Sequence, residues 1–344
     1  MTCAVDQVLP LLSSTYPTGQ IDDLSRVDGG SADCYRLSAD KDFFLKLLSR
    51  DADVEGLRQE ADLRDHLLAA GFPTARIVRA KSGAGWAELG GCFVQLQEFI
   101  PGRGFATNSM DDGEMVRLCD ALASCCVHLK PVQNLPEFHV SSWFSPSKGA
   151  RARDQLHMAI AALENVAHDD GETLLEVFRR KLELMDKVEK FDLEMTDFTR
   201  SGVHGDFNCL QVIEDENGRY VVIDFAKAGI APVSWEIMRA FCVSSVGCAG
   251  AQVDGTELAN FVERFVDHFP LNRTDIEKMI DLYLFQLARS NFGIWQAYQS
   301  YYRDDTAIKL GKWRAQMALF LAANRNDLIC ELQDRLFGSA RAIV

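Results

Sequence analysis

Val203-His204-Gly205-Asp206-Phe207-Asn208-Cys209-Leu210-Gln211-Val212-Ile213 is followed by a polar turn through Asn217-Gly218 and then by Tyr220-Val221-Val222-Ile223-Asp224-Phe225. Two β-prone runs, 211–213 and 220–223, flank an Asn-Gly pair suited to a tight reversal. The pattern predicts a hairpin. It would place Asp206, before the first strand, and Asp224, at the end of the second, on one edge, with Gln211 between them. Two carboxylates and a carboxamide would then face one space.

Phosphoryl transfer from a nucleotide needs such a space. A carboxylate orients the attacking hydroxyl and accepts its proton, while hard oxygen ligands hold a magnesium ion on the phosphates. Asp206 suits the first role; Gln211 and Asp224 suit the second. His-Gly-Asp, a side-chain amide five residues after the Asp, and then Ile-Asp-Phe resemble the catalytic and metal loops of the aminoglycoside phosphotransferase and choline kinase-like family. That family is a small-molecule branch of the protein-kinase fold. It usually carries Asn where this chain has Gln211, which offers the same carbonyl oxygen on a longer stem. The competing reading of the stretch is a surface hairpin with chance acidic residues.

The rest of the amino-terminal third agrees with the resemblance. Gly29-Gly30-Ser31 lies between two β-prone runs, where backbone amides can turn toward phosphate oxygens, though alone it is an ordinary hairpin turn. The run Asp42-Phe43-Phe44-Leu45-Lys46-Leu47-Leu48 follows. A lysine in so apolar a strand needs a partner or an anionic ligand unless it snorkels from a sheet edge, so Lys46 is the candidate phosphate-binding lysine. A helix is expected from Asp53 to about Ala70, with Leu57, Ala61, Arg64, Leu67 and Leu68 at helical spacing. The resemblance pairs Lys46 with a helix carboxylate, taken as Glu60, with Glu55 as the competing choice. It also makes the strand ending Gln97-Glu98-Phe99-Ile100-Pro101-Gly102 the hinge, with backbone groups of Glu98 and Ile100 on the adenine.

From Asp111 the pattern turns helical. Met115, Leu118, Cys119, Leu122, Cys125, Cys126 and Leu129 form one apolar stripe, and Leu174, Leu175, Phe178, Leu182, Met185 and Val188 form another. Residues 138–148 between them read as a loop. After Asp224 the resemblance implies a short turn and a helix with an acid near its start, here Glu236. That acid would face either the substrate or the catalytic loop, or simply balance the helix dipole. Lys227 and Arg239 bring cations nearby. Farther on, Trp295 and Tyr298 belong to a segment dense in aromatic and polar groups that could enclose a cation or stack on a ring. Core aromatics of an amphipathic helix are the alternative.

Composition narrows the class. The 344 residues are 47% hydrophobic and 25% charged, without an apolar run of the ~18 residues that span a membrane. A formal charge of −14 argues against a nucleic-acid partner and permits a cationic small-molecule acceptor. The start, Met1-Thr2-Cys3-Ala4-Val5-Asp6, lacks the features of a secretory leader, so a cytoplasmic enzyme is expected. Ten scattered cysteines without a paired spacing read as reduced thiols.

The expectation is an α+β, protein-kinase-like two-lobe fold. Residues 1–100 would form a small β-rich nucleotide-binding lobe with one helix, and residues 101–344 a large, mostly helical lobe with the catalytic loop and substrate site. The resemblance, covering roughly residues 20 to 245, implies an ATP- and Mg²⁺-dependent kinase of a small-molecule hydroxyl: an aminoglycoside or other antibiotic, an amino alcohol, an amino acid or a sugar. A kinase-like nucleotide-binding scaffold without catalysis is the alternative, motivated by Gln211. A protein kinase is disfavoured by the His-Gly-Asp loop and the short segment between Asp224 and Pro232.

Overall fold

A computed structural model of the chain describes residues 5–27, 33–137, 144–165 and 171–338. Residues up to Gly104 supply α1 (Val5–Thr15), β1 (Asp23–Val27), β2 (Asp33–Ser38), β3 (Asp42–Leu48), α2 (Val54–Ala69), β4 (Ile77–Val78), β5 (Ala87–Leu89), β6 (Cys92–Glu98) and β7 (Gly102–Gly104). The next stretch holds α3 (Asp112–Leu129), α4 (Pro146–Leu163), α5 (Gly171–Val188) and β8 (Arg200–Val203), followed by the hairpin strands β9 (Val212–Asp215) and β10 (Tyr220–Val222). The remainder runs β11 (Gly229–Pro232), α6 (Val233–Ser244), α7 (Gly255–Val266), α8 (Arg273–Arg289), α9 (Ile294–Gln299), α10 (Asp305–Ala323) and α11 (Arg325–Gly338).

The chain divides into two compact units, Met1–Gly104 with Gln211–Ala228, and Phe105–Leu210 with Gly229–Val344. A single cut after residue 100 misses this interleaving. The hairpin groups with the amino-terminal strands because β9 pairs with β7 and the Val222 N–H donates to the Pro73 carbonyl. The hairpin itself forms much as the Asn-Gly signal predicts. Val222 lies opposite Val212, and Gly218, in the left-handed region at φ 74°, donates to the Asp215 carbonyl. Gln211 falls outside the strand, in a short 3₁₀ turn of residues 209–211.

The first unit is built on an antiparallel sheet of order β1-β2-β3-β6-β4, with β5 also on β6. Strict alternation in β3 explains its centre: Phe43, Leu45 and Leu47 are buried in a cluster with Leu37, Val94 and Leu96, and the intervening residues face the other way. The cluster also takes Val8, Leu12 and Tyr16, so α1 belongs to this unit alongside α2.

In the second unit α3 buries the predicted stripe from Met115 to Leu129 and opens with a capping box between Asp111 and Glu114. Every residue of α6 except Arg239 is buried. The stretch read as a loop ends earlier than expected, since α4 starts at Pro146, where the missing N–H has no helical partner to lose; residues 138–143 of it lie outside the described residues. A second core joins α4, α5, α9 and α10 through Leu156, Ile160, Leu174, Phe178, Ile294 and Ile308. Cys125 and Cys126 are buried free thiols as expected, but Cys92 is disulfide-bonded, which cysteine spacing alone did not signal. Among the described residues no helix is long and apolar enough to cross a membrane.

Lys181 of α5 is completely buried and donates to the Leu287 and Ser290 carbonyls, 3.0 and 2.6 Å away, at the end of α8. Burial, with Arg314 nearby, pulls its pKa down from 10.5 to about 7. Between those two values the unfolded chain binds the proton that the folded chain has released, so stability rises with pH across that window. Replacement by an apolar side chain removes this titration. Thermal unfolding from pH 6 to pH 10 should show the melting temperature of Lys181→Met rising less with pH than that of the unaltered protein.

Candidate active site

Lys46 stands opposite Gln95 in the β3–β6 ladder, its side chain 15% exposed, and its ammonium lies 2.9 Å from an Asp224 carboxylate oxygen. A strand lysine in an apolar run has therefore found the anion it requires. Asp224 follows β10 with φ at 62°, a left-handed conformation that Asp tolerates better than most side chains and that redirects its carboxylate from the strand path. Phe225 behind it is buried, edge-on to Phe72. The Ile223 N–H donates to the Gln211 carbonyl at 2.9 Å, so Gln211 and Asp224 share the open end of the hairpin.

This donor set, one carboxylate and one carboxamide, fits a magnesium ion that takes its remaining oxygens from phosphate and water. Among the described residues no group of three or more His, Cys, Asp or Glu side chains could hold a metal by itself. Gly29, Gly30 and Ser31 lie outside the described residues. The strands that flank them pair antiparallel, with Val27 opposite Cys34.

Glu60 departs from the expected pairing with Lys46. It is buried and accepts from Arg64 one turn later on α2, at 3.2 Å, and from the Gln95 amide at 3.3 Å. Arg64 also donates to Gln97, and Gln97 to Gln95, which closes a ring of four buried side chains. The guanidinium gives its other bonds to the Ala75 carbonyl. Burial pulls the Arg64 pKa down, and the adjacent Glu60 opposes that pull. A charge in the interior requires a charged or hydrogen-bonding partner, and Arg64 reaches Glu60 through an i, i+4 contact. Its signal in the sequence was an arginine on an otherwise apolar helical stripe.

Glu98 ends β6. Its N–H donates to the Arg76 carbonyl at 2.9 Å, and its side chain reaches Lys41 at 3.3 Å. Ile100 follows β6 two residues later, half-buried.

In the helical unit β8 pairs with β11, Val203 opposite Gly229, and the His204–Asp206 turn leaves β8 with Gly205 at φ 82°. Glu236 on α6 is wholly buried and accepts from the backbone N–H groups of His204, Gly205 and Phe207. Of the two directions open to it in the sequence, its carboxylate takes the one toward the loop. Burial pushes its carboxyl up to about 7, against the N–H donors that favour the ionised form. His204 is also buried, accepting the Asp206 N–H on Nδ1 and meeting Phe207 edge-on. It braces the turn.

The Asp206 carboxylate is ion-paired with Arg239, one helical turn beyond Glu236 on α6. Asn208 bonds to the Asp206 carbonyl and to the Leu210 N–H, tightening the loop. Cys209 is buried, and its burial raises the thiol pKa, which disfavours the reactive thiolate. Trp295 and Tyr298 stack on one another at 4.8 Å, and Tyr298 packs on the helical core.

Two substitutions test these arrangements. Arg64→Met strands the Glu60 carboxylate and should cost about 3 kcal/mol; thermal or urea unfolding should show it, with partial recovery when Glu60→Gln removes the orphaned charge. Glu236→Ala leaves three buried N–H groups without acceptors, each costing about 1–3 kcal/mol. It should lower the melting temperature and speed amide hydrogen exchange at residues 204–207 before the rest of the unit.

Comparison with known proteins joins these halves to a family. An aminoglycoside phosphotransferase from Alicyclobacillus acidocaldarius aligns over 92% of this chain and 96% of its own, with 16% identity and a TM-score of 0.57. An amicoumacin kinase aligns over 90% and 92%, with 15% identity and a TM-score of 0.61. A choline kinase from Streptococcus pneumoniae aligns over 88% and 94%, with 15% identity and a TM-score of 0.54. At such identities the likeness is one of fold, and the fold is kinase-like. A search of the curated proteins finds no match. The profile of the phosphotransferase enzyme family matches residues 23–269, well over half of the sequence, and the chain belongs to that family.

Proposed function

We propose that the chain transfers the γ-phosphate of ATP to a hydroxyl group of a small molecule. The observation that carries this reading is the Lys46–Asp224 ion pair: a strand ammonium and a hairpin carboxylate held 2.9 Å apart beside Gln211. Lys46 would move from that carboxylate onto phosphate oxygens. Asp224 and Gln211 would hold magnesium, which when bound neutralises charge developing on the phosphates. Backbone groups of Glu98 and Ile100, and the amides of Gly29, Gly30 and Ser31, would take the adenine and the phosphates. Glu60, engaged by Arg64, would position β3 and α2 through the ring it shares with Gln95 and Gln97.

Asp206 would orient the acceptor hydroxyl and accept its proton. As that proton leaves, the acceptor oxygen bonds to the γ-phosphorus, the bond to the β–γ bridging oxygen breaks, and ADP departs. Glu236 fixes the loop that carries Asp206, and Arg239 fixes its carboxylate. The amicoumacin kinase of the same fold was solved with AMP-PNP and Ca²⁺, which supports use of a nucleotide and a divalent ion here. An antibiotic, an amino alcohol, an amino acid or a sugar fits the family as acceptor.

The test is ADP release by the purified chain across a panel of such acceptors. With an accepted substrate, Asp206→Ala should lose ~10² or more in kcat while keeping Mg-ATP affinity. Asp224→Ala should weaken metal-dependent nucleotide binding. Wild-type turnover in both variants, or normal Mg-ATP binding with no turnover on any acceptor, would overturn the proposal.

A further inference from the structure

The helical unit contains a cavity of about 540 Å³ where the start of α4 meets the end of α8. Among the described residues its wall carries three cations, Lys148, Arg151 and Arg289, and no Asp or Glu. In a chain of charge −14 such a concentration of one sign is not a composition effect. Lys148 feels the other two: burial first, then Arg289 and Arg151, lowers its pKa, while burial lowers that of Arg289 against the opposing pull of Glu189. Like charges gathered in a partly buried space favour the approach of an anion.

Two further features specify more than an anion. Asn291 is 6% exposed; its amide nitrogen donates to the Ala152 carbonyl, while its carbonyl oxygen is buried without a partner among the described residues. The Gln286 carbonyl oxygen and Arg289 Nε are buried and unpartnered in the same way, and all three side chains line the cavity. Orphaned oxygens seek donors and an orphaned guanidinium N–H seeks an acceptor. A molecule bearing both hydroxyl groups and an anionic group would satisfy all of them.

The cavity wall also connects to the candidate base. Ser290, in that wall, accepts from Arg314 at 3.0 Å, and the buried Arg314 lies within electrostatic reach of Arg239 and Asp206. The large cavity of the first unit is different in kind, its Arg79 paired with Asp65 and its Lys41 with Glu98.

The geometry points to this cavity as the binding site of a hydroxylated small molecule with a phosphate monoester or carboxylate group. Its identity as the phosphate acceptor rests on the phosphotransferase reading. The charge is opposite to what a cationic acceptor needs, so amino alcohols and polycationic antibiotics are disfavoured.

Matched compounds test the site on the full chain with Mg-ADP saturating, so that the nucleotide site cannot take the anion. Glycerol 3-phosphate, glycerate, glycerol and ethanolamine are compared by calorimetry, and by ADP release when Mg-ATP replaces Mg-ADP. At least one of the two anions should bind tenfold or more tighter than glycerol, and which one identifies the anionic group. Arg151→Glu, at an exposed position with little risk to folding, should abolish that preference without changing the KM for ATP, and Arg289→Gln should weaken it. Absence of anion binding, equal binding of glycerol and both anions, or a preference untouched by Arg151→Glu would overturn the site. Anion binding lost in Arg151→Glu but without ADP release would sustain the site and count against phosphotransfer. ADP release with ethanolamine, indifferent to Arg151→Glu, would do the reverse.

Discussion

The helical unit depends on one carboxylate that water does not reach. Glu236 stands on α6, a helix buried along its length save at Arg239, and it collects the N–H groups of three residues in the turn that carries Asp206. A chain leaving a strand for an irregular turn in the interior exposes backbone donors that need acceptors. Glu236 supplies them from a rigid helix, and Arg239, one turn farther, holds the Asp206 side chain. One helix therefore fixes both the backbone and the carboxylate of the candidate base. A loop hydrogen-bonded only to itself would not confine Asp206 in this way.

The amino-terminal unit manages charge by a different arrangement. Lys46 and Glu60 approach the same sheet, and each is satisfied separately, the lysine by Asp224 and the glutamate by Arg64 and Gln95. Because Arg64 closes a ring through Gln97 and Gln95, its charge is compensated inside the unit and needs neither solvent nor ligand. Lys46, with a partner 37% exposed, retains the option of exchanging one anion for another. A closed buried network favours rigidity and a half-exposed pair favours exchange.

Much of this was legible in the residues. Alternation in β3 announced a strand with one buried face, Asn217-Gly218 announced the reversal, and the periodic stripe from Met115 to Leu129 announced α3. The approximate order of candidate groups along the chain followed. What stayed hidden were choices between partners. Glu60 had two basic side chains within reach, and although the i, i+4 spacing favours Arg64 on its own helix, only burial of the whole ring decided against the lysine of the neighbouring strand. Glu236 carried a correct chemical type with an undecided direction. Arg151 and Arg289 carried no signal, since 138 positions separate them in the chain and no periodicity links the start of α4 with the end of α8.

By itself the sequence determined the main secondary elements and, through the resemblance its motifs carry, the kinase-like class, because hydrophobic period, turn chemistry and motif spacing are local quantities. Only the tertiary structure decided which charge meets which: Lys46 with Asp224, Glu60 with Arg64, Asp206 with Arg239, and three cations around one cavity. Electrostatic pairing depends on distance through space and on the water excluded from it, and neither is written in the order of residues along a chain.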